Sequence, residues 1–89
     1  MRKIFKYEIS PEKTTFLTHA NAKFLSVQVQ RNIPCVWIEV DTNEDLVHYT
    51  YHIIPTGSEF PNDNKLNYLG TFQLDNGNLV FHVYIKEIK

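Results

Sequence analysis

The run Gly70-Thr-Phe-Gln-Leu-Asp-Asn-Gly-Asn-Leu-Val-Phe-His-Val-Tyr-Ile85 constrains the fold more than any other stretch of the chain. Asn76-Gly77 supplies the two positive φ angles that a type I′ turn requires, and apolar residues alternate on both sides of it. With those residues as the turn, Asp75 faces Asn78, Leu74 faces Leu79, Gln73 faces Val80 and Phe72 faces Phe81. Both large apolar pairs then fall on one side of a β-ribbon.

A period of two runs through nearly all of the remaining chain. In Lys3–Ile9, Phe5, Tyr7 and Ile9 share one face and Ile4, Lys6 and Glu8 the other, until Ser10-Pro11 interrupts the pattern. Thr14–Thr18 is short and rich in β-branched and aromatic residues, with His19–Ala22 as a turn after it. From Phe24 to Gln30, Leu25, Val27 and Val29 alternate with Ser26, Gln28 and Gln30, so the polar face is uncharged. If Arg31-Asn32 turns the chain, Pro34–Asp41 returns with Val29 opposite Pro34, Val27 opposite Val36 and Leu25 opposite Ile38. Pro34 has no N–H, so this strand should begin at a sheet edge. After the polar loop Thr42–Asp45, Leu46–Ile54 alternates Val47, Tyr49, Tyr51 and Ile53 with His48, Thr50 and His52.

Periodicity stops at Pro55–Tyr68, a long loop for which a single helical turn near Asn62–Leu66 is expected. The expected fold is therefore all-β: six to seven antiparallel strands built from hairpins, forming a small sandwich or barrel with one long irregular loop. With 89 residues, no repeats and no composition break, one domain over 1–89 is expected. A chain of that size buries only about 60 to 65% of its unfolded surface, so the core is thin and a homo-oligomer is expected to strengthen it.

Charge and cysteine content narrow the function. The net charge of −1, with scattered basic residues, provides no stripe to neutralise DNA phosphates. The single cysteine, Cys35, rules out an internal disulfide and fits a reducing cytoplasm. No apolar run reaches the roughly 20 residues of a membrane-spanning helix, so no membrane association is expected. Catalytic signatures are missing as well. Ser58 lies outside a Gly-x-Ser-x-Gly context, and nothing in the sequence activates Cys35. His48 and His52 share a strand face but stand about 13 Å apart along it, so a metal site completed by His82 is not expected. The chain reads as a non-enzyme without a cofactor.

The loop Pro55–Asn67 carries the first candidate site. Thr56, Gly57 and Ser58 offer N–H groups and hydroxyls suited to phosphate oxygens, although the Gly-Lys-Ser/Thr ending of a Walker loop is lacking. Trp37 is the second candidate: it should sit opposite Ser26 on the non-core face of its hairpin, with Gln28 beside Cys35. There the indole could stack on a base or anchor a protein partner.

Leu25-Ser-Val-Gln-Val-Gln30, Pro34-Cys-Val-Trp37, Thr56-Gly57, Tyr68-Leu-Gly-Thr-Phe-Gln73 and Leu79-Val-Phe-His-Val83 together resemble a family of small uncharacterised proteins of bacteriophages and prophages. Members of that family tend to carry Asn-Gly and Gly-Thr-Gly where this chain has Arg31-Asn32 and Pro55-Thr-Gly57. The resemblance implies a phage accessory protein in the bacterial host cytoplasm, with counter-defence binding as its class of action. The resulting expectation is a binder that sequesters a nucleotide-derived small molecule. Trp37 or Tyr68 would stack on the base, Thr56, Gly57 and Ser58 would hold the phosphate, and a cation such as Arg31, Lys23 or Lys65 would neutralise it. The alternative is a protein-binding module that inhibits or scaffolds a host or phage protein through the Gln-rich strand face or an exposed edge.

Overall fold

The computed structural model describes residues 1–12 and 14–88, and these form seven strands. They are β1 (Arg2–Glu8), β2 (Thr15–His19), β3 (Lys23–Gln30), β4 (Ile33–Asp41), β5 (Leu46–Pro55), β6 (Asn67–Leu74) and β7 (Leu79–Glu87). Every pairing is antiparallel. One sheet has the order β1-β4-β3 and the other β2-β5-β7-β6, so the fold is a sandwich and not a closed barrel. Among the described residues no helix is long and apolar enough to cross a membrane.

The inward faces are those set by the alternation. Ile9, Val27, Val36, Ile38, Val40, Tyr49, Tyr51, Phe72, Val83 and Ile85 form the core, with Phe5, Tyr7 and Phe16 packed against it. In the last hairpin Phe72, Gln73 and Leu74 pair with Phe81, Val80 and Leu79, as the turn requires. Asn76 (φ 54°, ψ 32°) and Gly77 (φ 87°) make the type I′ turn, closed by the Asn78 N–H donating to the Asp75 carbonyl at 2.9 Å. Asp75 is left-handed too (φ 54°), a conformation a short polar side chain tolerates, and strand pairing therefore begins at Leu74 and Leu79.

The β3–β4 hairpin departs from its expected register at one end. Arg31 (φ 53°) and Asn32 (φ 66°) turn the chain, and Val29 and Val27 meet Pro34 and Val36. Leu25 does not meet Ile38; the register shifts between Phe24 and Ser26, Phe24 pairs with Ile38, and Leu25 is 42% exposed. This bulge lets the larger ring turn inward, edge-on to Tyr49 at 5.4 Å, without moving Val27 out of the core. The edge expected for Pro34 holds only at the start of the strand: β4 is the central strand of its sheet, but its register with β1 stops at Cys35, so Ile33 and Pro34 pair with β3 alone. Proline is tolerated there because β1 ends beside it at Glu8, while the Pro34 carbonyl still accepts the Ile9 N–H at 3.0 Å.

Topology explains the long loop. Because β5 and β6 are both antiparallel to β7, they run parallel to each other, and the connection must travel back along the length of β7. No helical turn forms near Asn62–Leu66. The Asp63 carboxylate instead accepts the Lys65 N–H at 2.9 Å, a side-chain bond that competes with helix formation.

Candidate functional site

The crossover 56–66 lies over the outward face of β7 and meets its alternate residues in turn. Thr56 bonds His82, Phe60 packs edge-on against Tyr84 at 4.8 Å, and the Asp63 carboxylate pairs with the Lys86 ammonium. Lys86, together with the Lys65 N–H, holds the Asp63 carboxyl below the usual carboxylate range. The loop is thus a strap fastened at the two-residue spacing of the strand beneath it.

At its start, the strap joins a polar chain. The Tyr68 hydroxyl reaches Thr71 Oγ1, which lies 3.0 Å from His82 Nδ1; His82 Nε2 is 2.8 Å from Thr56 Oγ1, and that hydroxyl is 3.3 Å from the Val80 carbonyl. One direction of donation satisfies all four links: Tyr68 to Thr71, Thr71 to His82 Nδ1, His82 Nε2–H to Thr56, and Thr56 to Val80. The reverse leaves out Val80, which can only accept, so the chain selects the imidazole protonated on Nε2. The Thr56 N–H donates to Val80 at 3.0 Å and the Ser58 N–H to Pro55 at 3.1 Å, across a turn in which Gly57 has φ 87°. Two of the three N–H groups expected to face phosphate are therefore taken up by backbone carbonyls.

Beside the strap is a cleft of about 250 Å³, whose lining includes Ser10, Thr14, His52, Ser58 and Glu59. Glu59 gives it an acidic group rather than a cation. His48 pairs with Leu17 on β2, His52 with Tyr84 and His82 with Thr71, so these three histidines occupy different cross-strand pairs. Among the described residues no group of three His, Cys, Asp or Glu side chains could hold a metal ion.

The opposite outer face, that of the three-stranded sheet, centres on Trp37. It stands between Lys6 on β1 and Ser26 on β3, half-buried, with its core-facing neighbours Val36 and Ile38 fully enclosed. Lys6 Nζ donates to Gln30 Oε1 at 2.6 Å, crossing β4 at the level of Cys35, which is only 1% exposed. Gln28 Nε2 donates to Ser26 Oγ at 3.0 Å, and Arg2 pairs with Glu39 at the far end. The result is a face with an indole at its middle, uncharged amides and a hydroxyl on one flank, and Ile4 and Ile33 exposed beyond.

The six residues expected to hold a ligand thus fall in three places. Thr56, Gly57, Ser58 and Tyr68 lie on the outer side of the four-stranded sheet, Trp37 on the outer side of the other sheet, and Arg31 at the β3–β4 turn. Thr71 and His82, which link Tyr68 to Thr56, were not among the expected site residues. The register of the last hairpin already carried that signal, since pairing Phe72 with Phe81 also pairs Thr71 with His82.

The chain belongs to the family described as a domain of unknown function (DUF7352), which matches residues 1–89. No curated protein and no solved structure matches it.

Proposed function

We propose that this DUF7352 chain is a non-catalytic recognition module that binds a protein through the open face of its three-stranded sheet, with Trp37 as the anchor. The observation that carries this reading is a half-buried indole at the centre of that face, flanked by Ser26, Gln28 and Lys6 and covered by no other element among the described residues. Interfaces draw much of their energy from such a residue at the middle of a patch, with surrounding polar groups that exclude water. With Trp37 as the stacking ring, the nucleotide reading would need two opposite outer faces at one ligand; with Tyr68 in that role, the Thr56 and Ser58 N–H groups meant for phosphate are already bonded to backbone carbonyls. Following the resemblance to phage proteins, the partner is a protein of the bacterial cytoplasm, and counter-defence by occupying its surface is the mode of action.

A photo-crosslinking amino acid at Gln28, compared with one at Gln73 on the other outer face, tests this in the native host cell. Position 28 should give one discrete adduct with a different protein, lost in Trp37→Ala, and position 73 should give none. Equal adducts from both faces, or an adduct unaffected by Trp37→Ala, would refute the reading. An adduct of twice the chain mass would replace it with a homo-oligomer.

A further inference from the structure

At the end of the sandwich that carries the β3–β4 turn, the sheets part around an apolar crevice of about 240 Å³. Ile9, Pro34, Ile53, Phe72, Leu74 and Phe81 make most of its wall, with the rings of Phe72 and Phe81 stacked at 5.3 Å. Ser10 and Asn32 are the polar residues at its lip. The Tyr51 hydroxyl, bonded to both the N–H and the carbonyl of Ser10 at 3.1 Å, holds one side of that lip in place. On the other side the left-handed turn residues Arg31 and Asn32 are exposed, and the Arg31 guanidinium forms no ion pair among the described residues.

We infer that this crevice binds a compact hydrophobic carboxylate, its ring or short chain between the sheets and its carboxylate on the Arg31-Asn32 turn. Size sets the first limit. An apolar cavity of about 150 Å³ takes up benzene, whereas drug-sized ligands need roughly 300 Å³ or more, so the crevice suits one substituted ring or a chain of about eight carbons. The wall sets the second, because burying phosphate or sugar hydroxyls against these side chains would leave them without hydrogen bonds. The head group follows from the turn: Asn32 lines the crevice and its amide can donate to a carboxylate, and Arg31, outside the wall but next to Asn32 in the chain, carries a guanidinium that can add two parallel bonds. Glu12, on the connection after Pro11, is exposed and its charge is screened by water. The crevice shares only Ile33 with the Trp37 face, and Trp37 does not line it, so Trp37→Ala should leave it unchanged.

Titration of the full chain with octanoate, 1-octanol and inorganic phosphate, followed by NMR, tests the inference. Octanoate should saturably shift the resonances of Ile9, Ile53 and Leu74, octanol should bind about tenfold more weakly, and phosphate should shift none of them. Arg31→Gln should bring octanoate to the level of octanol. Leu74→Trp should fill the crevice and abolish both, and Pro11→Trp at the exposed lip does so where Leu74→Trp fails to fold. No saturable shift with octanoate or octanol, or binding that survives a filled crevice, would overturn the site; equal affinities of the two in the unmodified chain would overturn the carboxylate.

Discussion

Gly70 shows how much one missing side chain can decide. A Cβ at this position would lie 3.0 Å from both Cβ and Cγ2 of Val27, where β6 of one sheet approaches β3 of the other. Val27 is β-branched and nearly enclosed, so it has little freedom to yield. Gly70→Ala should therefore destabilise the fold by about 1–3 kcal/mol in urea denaturation, and Gly70→Ala with Val27→Ala should cost less than the sum of the two singles. Asp63 acts through charge instead. Its folded-state pKa lies below the ordinary value, so its pairing with Lys86 stabilises the protein at neutral pH, and that contribution is lost as pH falls through and below the ordinary carboxylate range. Asp63→Asn should flatten part of the acid limb of a stability-against-pH profile while leaving the share owed to Asp41, whose pKa is lowered by the Asn43 N–H and the N-terminus. At His82, ring 15N shifts should report protonation on Nε2, and Tyr68→Phe should leave that tautomer in place because the Val80 carbonyl still orders the other end.

The strap is the element that sequence reading sees as a loop and the fold uses as a return path. Its length is imposed by the parallel relation of β5 and β6, and its contacts with Tyr84 and Lys86 fasten it without taking part in the sheet core. Phe60→Ala should raise hydrogen exchange and protease cleavage within 57–66 while amides of β7 keep their protection; equal loss in both would show that strap and sheet open as one unit. What was legible at this scale depended on locality. The two-residue turns at Arg31-Asn32 and Asn76-Gly77 carry their own registers, so the pairings of Trp37 with Ser26 and of Thr71 with His82 follow from neighbouring residues. The bulge at Leu25 left no mark, because Phe24 and Leu25 are both apolar and neither glycine nor proline flags the extra residue. The link from Thr56 to His82 was hidden for a different reason: it exists only once β7 inserts between β5 and β6, a long-range pairing that no local pattern encodes.

As a whole molecule, the sandwich is closed differently along its two sides. On the β3–β6 side backbones approach closely at Gly70, whereas on the β1–β2 side the sheets are joined through side chains. There Tyr7 stacks on Phe16 at 5.0 Å and donates its hydroxyl to Thr18 Oγ1 at 3.0 Å, one polar bond inside an aromatic row that continues to Tyr49 and Tyr51. Thr18 is 0% exposed, so water cannot replace a lost partner. Tyr7→Phe should consequently cost about 1–3 kcal/mol, the desolvation penalty of an orphaned hydroxyl, although ring and stacking are retained. Replacing Thr18 by valine in the same background removes the orphan and keeps the shape, so Tyr7→Phe/Thr18→Val should recover most of the loss. Urea denaturation of the two singles and the double closes the cycle. A double variant as unstable as Tyr7→Phe alone would mean that the hydroxyl pair joins the sheets in its own right, and one as unstable as the sum of the singles that the two hydroxyls are not coupled; recovery would mean that the apolar row holds this side and the hydrogen bond only satisfies a buried group.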